Sequence, residues 1–412
     1  MSPSISPTRH WYTPEYFADP YPFFEELRQL EPVHWSEPLG GWVLTGYEAV
    51  AEVLRSPEHF SSAGRMAALL AGLSETEQAH FQPVIDHFSV GMIRSDPPDH
   101  TRLRRLIQKA FTPRIVAESR SEIESLVNEL LARWGDRREV DLVEDFAYPL
   151  PANVICRMLG LPPEDSRRIH QWTLGMNSVI AGTLPLREAA EQMQRALLEL
   201  QQYYRQEIAD RRRAPRDDLM SLLVAAEDGQ DRLNEAELIS TAENLFSAGH
   251  ETTTSLIANG VLTLLKHPEQ LQQLTESPGA PGFSMAIEEI LRFESPVQRQ
   301  TRVVRYDCEP FGQQMRQGQL VFVMIGAANR DPAHCDRPDQ FDIRRHPNQH
   351  IAFGAGVHFC IGAPLARLEA EIAFTALLDR WQDFQLVSEE VDWMKSAALR
   401  CPAALPIRVR GK

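Results

Sequence analysis

FGAGVHFCIG, residues 353–362, is a glycine-lined turn that carries one cysteine and stands directly ahead of an apolar helical pattern. Glycines at 354, 356 and 362 permit positive φ and remove Cβ atoms, so the backbone can curl around a sulfur and lie close against a flat ligand. After the turn, Leu365, Leu368, Ile372 and Leu377 recur at helical spacing, with Pro364 in a first-turn position where its missing N–H costs nothing. The spacing predicts a helix over Pro364–Trp381 with Cys360 at its N-terminus. Free N–H groups and the positive end of the helix dipole there lower a thiol pKa and favour thiolate, the form that binds metal. From this loop alone, a buried structural cysteine at a Gly-rich helix entry reads as well.

Three stretches far from Cys360 add to it. Glu289-Ile290-Leu291-Arg292 places an acid and a base at i and i+3 on one face of a predicted helix, Ser284–Phe293. Alone it reads as a surface ion pair. Ala248-Gly249-His250-Glu251-Thr252-Thr253 interrupts with polar residues a long apolar-periodic run between Asn234 and Pro268. Asn234 with Glu237 reads as a capping box, and the run predicts a helix of about thirty residues, long enough to cross a domain. Gly249 costs about 1 kcal/mol against Ala and threonine hydroxyls compete for backbone carbonyls, so the helix is expected to be weakened here. Last, Asp96-Pro97-Pro98-Asp99-His100-Thr101-Arg102-Leu103-Arg104 is a turn opening a helix, with His100 and Arg104 at i and i+4 as two donors suited to an anion.

Together the four stretches resemble the cytochrome P450 monooxygenases of the soluble bacterial type. FGAGVHFCIGAPLAR at 353–367 is similar to that family's heme-binding signature, EEILR at 288–292 to its Glu-x-x-Arg helix, and AGHETT at 248–253 to its oxygen-activating segment. Their order and separation fit, and the resemblance extends through 328–345 and 403–409, covering nearly the whole chain. It implies a mainly α fold with small β-sheets, the cytochrome P450 fold. It also implies a single domain over 1–412, with a small β-rich part near 30–60, 300–326 and 385–410.

Composition agrees. The chain has 412 residues, 43 % hydrophobic and 24 % charged, enough for one large core. Five cysteines, an odd number with no Cys-x-x-Cys pair, argue against a disulfide framework or zinc site. A net charge of −15 disfavours nucleic acid as a partner. Met1 to Leu30 shows no signal-peptide pattern, and the longest apolar stretch, Leu320 to Ala328, is too short for a bilayer, so a cytoplasmic enzyme without a membrane partner is expected. Strand-like runs fall at Val33–Ser36, Trp42–Thr45, Arg302–Tyr306, Leu320–Ile325 and Leu405–Val409, and helical periodicity is clearest at Glu122–Trp134, Ala189–Arg211 and Asn234–Lys266.

The resemblance also implies roles. Cys360 would be the axial thiolate ligand of a heme b iron, with Phe353 and Gly354 beside it. His100, Arg104, Arg302 and His358 match positions that bind the heme propionates; His358 reads otherwise as a structural or metal-binding histidine. Ala248 and Gly249 would leave room for O2, and Glu251 and Thr252 match the acid–alcohol pair that relays protons to it. Glu289 and Arg292 would form a buried structural network leading to the loop before Cys360. Arg102, Arg104, Arg105, Lys109, Arg114, Arg344, Arg345 and His346 would form a basic patch for an acidic ferredoxin or flavodoxin passing electrons from NAD(P)H to a monomeric enzyme. Its alternative is a solvated arginine-rich face.

Substrate expectations are thinner. The pocket would be lined by residues from about 61 to 93, helices between about 165 and 201, Val297 to Arg299, and the turn Ala398-Leu399. Asn244 and Ser247 lie before Glu251 on the helix face leading to the heme and would hydrogen-bond a substrate hydroxyl or carbonyl, favouring a hydrophobic but oxygenated terpenoid, steroid or polyketide. Asn244 could instead face a neighbouring helix or water. Arg299 would anchor a carboxylate or join the propionate cluster. A peroxide-driven peroxygenase would share the thiolate heme but usually lacks the acid–alcohol pair, and a non-catalytic heme-binding protein would need neither that pair nor a reductase patch.

Overall fold

A computed structural model describes residues 10–228, 231–276 and 283–411. Its architecture is mainly α with small sheets, 58 % helical. The long helix predicted from the capping box runs Glu235–Lys266, with Asn234 Oδ1 accepting from the Glu237 N–H at 3.0 Å and Glu237 Oε2 accepting from the Asn234 N–H at 2.9 Å. At 1.5 Å per residue it extends about 48 Å. It is buried on nearly every side between Leu238 and Leu264, because helices Pro149–Leu159, Leu186–Arg213, Phe283–Phe293 and Ala363–Arg380 pack around it. A Cβ at Gly260 would collide with the Phe374 ring, so that glycine sets the approach of the Ala363–Arg380 helix. The helix runs without a break through Gly249, from Glu235 to Lys266. Thr252 Oγ1 donates to Ala248 O at 2.7 Å, the competition for a backbone carbonyl that the sequence predicts at this point.

Five strands form the larger sheet in the order Val33–Ser36, Gly41–Leu44, Leu320–Met324, Arg299–Val304 and Phe60–Ser61. All pairs are antiparallel except Gly41–Leu44 with Leu320–Met324. The strand expected at Arg302–Tyr306 begins three residues earlier, because Arg299 to Val303 find partners along Leu320–Met324. This shift matters for the site: Arg299 and Arg302 enter it from a fixed strand. A second sheet joins Glu139–Asp141, Pro406–Gly411 and Trp381–Leu386. Trp381, expected to close the last long helix, opens a strand instead, and that helix spans Ala363–Arg380.

Candidate active site

The Cys360 loop is held open by its backbone. Gly354 and Gly356 adopt φ of +73° and +68°, and a Cβ at Gly356 would lie 2.7 Å from Leu54 O, so only glycine fits. The Cys360 N–H donates to Phe353 O at 3.0 Å, which closes the loop and presents Sγ into a cavity of about 410 Å³. N–H groups of Gly362 and Ala363 and the charges of Arg104 and Arg367 pull the thiol pKa down, but burial outweighs them and the net shift is upward. The N–H groups of the helix terminus thus act in the expected direction, and burial opposes them. No other cysteine lines this cavity among the described residues.

At the cavity rim stands a cluster of nitrogen bases and cations: His100 at 2 % exposure, His358, Arg302 at 3 %, Arg104 and Arg65. Both ring nitrogens of His100 and Nε2 of His358 are buried without any hydrogen-bond partner. The two rings meet edge to face at 4.3 Å. Burial first, then Arg302, His100, Arg65 and Arg104, push His358 down to about 3. Burial, Arg302 and Arg94 likewise lower Arg65 to about 9, and burial lowers Arg302 to about 10. Asp96 is the nearby acid, and it accepts from Ser61 Oγ at 2.5 Å and the Ser62 N–H at 2.8 Å. Orphaned donors and crowded cations at the edge of an apolar slot fit a flat group that carries carboxylates, and a heme meets that description. Arg65 was not singled out in the sequence; it lies 237 residues before Arg302 and no local pattern announces it. Arg104 contributes less than expected, because its Nη1 donates to Val357 O and Phe359 O, bracing the Cys360 loop.

Across the cavity from Cys360 lies the long helix, which lines it with Thr241, Glu243, Asn244, Ser247, Ala248, Gly249 and Thr252. Gly249 is small for a second reason: a Cβ there would sit 3.3 Å from Ile155 Cγ1 on the neighbouring helix. Glu251 does not line the cavity. Its Oε2 accepts from Asn177 Nδ2 at 3.1 Å, and it is Asn177 that reaches the cavity wall. Thr252 faces the cavity, while the Glu251 carboxylate turns to Asn177. Burial and the Glu243 charge raise Glu251 to about 8.

The other expected pocket residues divide. Val297 and Arg299 line the cavity, whereas Ala398 and Leu399 do not: Leu399 bridges Val297, and Ala398 O accepts from the Gln298 N–H at 2.8 Å. They support the wall from behind. Arg299 serves neither expected role, since Nη1 donates to Tyr12 Oη at 2.6 Å and Nη2 to Ile180 O at 2.9 Å. It ties the N-terminal segment to the turn after the Ser166–Met176 helix. Asn244 Nδ2 is consumed within its own helix by Ser240 O at 2.6 Å. Beside it, the sequence reading missed a buried ion pair, Arg94 with Glu243.

Glu289 and Arg292 form the expected buried pair, bidentate at 2.8 Å for each contact. Arg292 also donates to Asn329 O, Pro338 O and Gln340 O, while Glu289 accepts from the Asp342 N–H, Arg345 Nε and Asn348 Nδ2. One helix turn thereby organises the segment 329–348 that leads to the cysteine loop. Glu288, unremarked in the sequence, does the same for the following helix: burial alone would raise it, but Arg367 and His350 hold it at about 2. The basic patch is smaller than expected. Arg345 points inward to Glu289, Arg102 pairs with Asp231 and Glu237, and Arg114, on a separate short helix, pairs with Glu118. No helix among the described residues is long and apolar enough to cross a membrane.

The profile of the Cytochrome P450 family matches residues 35–277 and 281–399. Cytochrome P450 107B1 of Saccharopolyspora erythraea is 42 % identical over 378 residues, covering 90 % of this chain and 89 % of that protein. The 6-deoxyerythronolide B hydroxylase of the same organism is 37 % identical, covering 96 % of this chain and 97 % of its own length. Among solved structures, P450BioI in complex with hexadec-9Z-enoic acid ligated acyl carrier protein superposes with a TM-score of 0.87 at 36 % identity, over 96 % of this chain and 99 % of that one.

Proposed function

The chain belongs to the cytochrome P450 family and is a monooxygenase of it, and on that premise we propose that it binds heme b through Cys360 and oxidises a hydrophobic, hydroxyl-bearing small molecule, with electrons from NAD(P)H delivered by a ferredoxin or flavodoxin. The observation that carries this reading is the cavity itself, with Cys360 on one wall, unpartnered His100 and His358 nitrogens at its rim, and Thr252 opposite.

When bound, the heme supplies dioxygen activation and the insertion of one oxygen atom into a C–H bond. The protein's own residues do the rest. Cys360 gives up its proton to become the ligand, helped by the Gly362 and Ala363 N–H groups. His100 and His358 would donate hydrogen bonds to the heme carboxylates, and Arg302 and Arg65 would supply the opposing charge. Leu245, Leu256, Leu291 and Leu365 keep the slot dry. Thr252 places a hydroxyl at the cavity wall, tethered through its own donation to Ala248 O, and Glu251 holds a proton one residue behind it.

The polar part of the wall sets the substrate class. With Nδ2 of Asn244 spent on Ser240, its Oδ1 is what remains, and an acceptor favours a substrate hydroxyl over a carbonyl. The names of the relatives support a hydrophobic substrate, one being a 6-deoxyerythronolide B hydroxylase and another standing in complex with an acyl carrier protein ligated to hexadec-9Z-enoic acid. The test is a spectral screen for the low-to-high-spin shift, pairing each hydrocarbon skeleton with its hydroxylated form, followed by product analysis. Tighter binding of hydroxylated members in the wild type, lost in Asn244→Leu, supports the assignment; equal response to both members overturns it. Turnover with a surrogate ferredoxin system in place of peroxide tests the electron source.

A further inference from the structure

Beside Glu251, two histidines converge that the mechanism above leaves idle. One ring nitrogen each of His170 and His250 and a carboxylate oxygen of Glu251 lie within 4.8 Å of one another. His250 is fully buried in the long helix, and its Nδ1 faces Phe246 O at 2.9 Å. A carbonyl can only accept, so Nδ1 carries the hydrogen and Nε2 presents a lone pair. His170 Nδ1 lies 2.7 Å from that lone pair and must donate to it. The tautomer of both rings is therefore fixed by one backbone carbonyl. His170 sits on the Ser166–Met176 helix and is only partly buried, so its Nε2, free of the contact with His250, is the end left to meet water.

We propose that His170 is the proton-intake residue of this enzyme, passing protons from solvent to Glu251, and that His250 is the positioning residue which sets the direction of transfer. The proposal rests on the monooxygenase reading, in which Glu251 stores the proton that Thr252 needs. Each transfer balances. Nε2 of His170 takes a proton from a hydronium ion, which leaves as water, as the Nδ1 proton passes by way of one water to the Glu251 carboxylate, leaving a neutral acid and the Nε2–H tautomer. In that tautomer the Nδ1 lone pair faces the lone pair of His250. The ring returns to the Nδ1–H form through water, which removes the Nε2 proton and supplies one to Nδ1, and the regained hydrogen bond to His250 favours that form. One proton has entered and the histidine is restored.

The surrounding charges suit this direction. Burial and Arg167 lower His170 to about 4, with Glu144 opposing, and burial and His170 lower His250 to about 3, so neither ring holds a proton that Glu251 could bind. Glu251, faced also by Glu243 and Cys401, lies higher, at about 8, and transfer to it runs downhill. The Tyr148 ring lies tilted at 4.8 Å from that of His170 and its buried hydroxyl has no partner, which leaves a polar place for an ordered water at the intake. Release toward the cavity is governed by Asn177, which must let go of Oε2.

The test compares the heme-loaded wild type with His170→Phe, which keeps packing against Tyr148, and His170→Gln, which keeps a donor for His250 but cannot shuttle. One readout is hydrogen–deuterium exchange of the Glu251 carboxyl, followed by its infrared C=O band and identified by subtraction of Glu251→Gln. The other is the fraction of NAD(P)H electrons lost to peroxide as a function of pH. Both His170 variants should slow the exchange and raise the peroxide fraction by roughly tenfold at neutral pH, with the loss shrinking in acid. If His170→Gln matches the wild type while His170→Phe fails, the residue is only a hydrogen-bond donor to His250 and the shuttle is overturned; if His170→Phe matches while His170→Gln fails, it is a packing element and the shuttle is overturned too. If neither variant changes either readout but Glu251→Gln uncouples, the intake falls and the monooxygenase relay stands. Full coupling in Glu251→Gln would remove the relay and the intake together.

Discussion

Arg94 Nη2 donates to Glu243 Oε2 at 2.8 Å with both side chains about 5 % exposed or less, so an ion pair is buried in the wall of an otherwise apolar cavity. The same guanidinium donates to Ser240 Oγ and His87 Nε2 and lies 4.1 Å over the Phe88 ring. Ser240 Oγ returns a bond to Val90 O. Three residues of the segment 87–94 are thus pinned to two adjacent turns of the long helix. That segment is one side of the substrate chamber, so the pair fixes the shape of the pocket.

Removing one partner of such a pair leaves an uncompensated buried charge, which costs about 3 kcal/mol or more. Arg94→Ala should therefore lower stability by about 3 kcal/mol, read from denaturant unfolding at pH 7. Arg94→Met with Glu243→Leu should recover most of the loss, because a similar volume is refilled without charge. Equal destabilisation in the single and double variants would show that packing on Phe88, and not the charge, is what holds the segment.

Glu289 accepts from Arg292, Arg345, Asn348 and the Asp342 N–H, and its side chain is wholly buried. Glu289→Ala strands two arginines at once. The expected outcome is little or no folded heme protein at 37 °C, with a loss of at least about 4 kcal/mol in any fraction recovered. Arg345→Ala, which keeps the Arg292 pair, should be milder by half or more in thermal midpoint shift. A normal yield of Glu289→Ala with native heme absorbance would deny the network its structural role.

What could be read from the sequence was local. The capping box at Asn234 and Glu237, the Glu289–Arg292 pair and the glycines around Cys360 each act over three to nine positions, and all formed as spaced. Features joining distant segments were hidden: Arg94 meets Glu243 across 149 positions and His170 meets His250 across 80. Arg345 was placed on the surface because a run of basic residues normally faces water; the buried carboxylate that draws it inward lies 56 positions earlier. Glu251 was assigned to the cavity with Thr252 because the two are neighbours in sequence, yet the helix turns them apart.

Arg65 supplies a cation to the cavity rim that no sequence pattern marked. Its Nε and Nη2 donate to Ser62 O and Ile93 O, which aim the guanidinium beside Arg302. A hydrogen bond to a charged carboxylate contributes about 1.5 kcal/mol, roughly a tenfold change in dissociation. Arg65→Leu should accordingly speed transfer of heme to an apomyoglobin trap by roughly tenfold, and Arg65→Lys by less. Arg299→Leu, whose guanidinium is committed to Tyr12 and Ile180, should leave that rate near wild type. A larger effect at Arg299 than at Arg65 would reverse the assignment of the two arginines.

Glu251 makes stability depend on pH in the sense opposite to most carboxylates. Its folded pKa of about 8 lies above the ordinary 4.5, so the folded state favours the neutral acid. That contribution is complete below pH 4.5 and is lost as pH rises through the folded value, because the buried group must then ionise or hold its proton against solvent. Glu251→Gln keeps a carbonyl to accept from Asn177 Nδ2 and never ionises. The variant should match the wild type near pH 4.5 and gain on it steadily, reaching on the order of 4 kcal/mol at pH 8. Thermal midpoints of both proteins between pH 5 and 8 measure the difference. A gap that stays constant across this range, or one that favours the wild type at pH 8, would mean that Glu251 is ionised in the folded protein and cannot store the proton assigned to it.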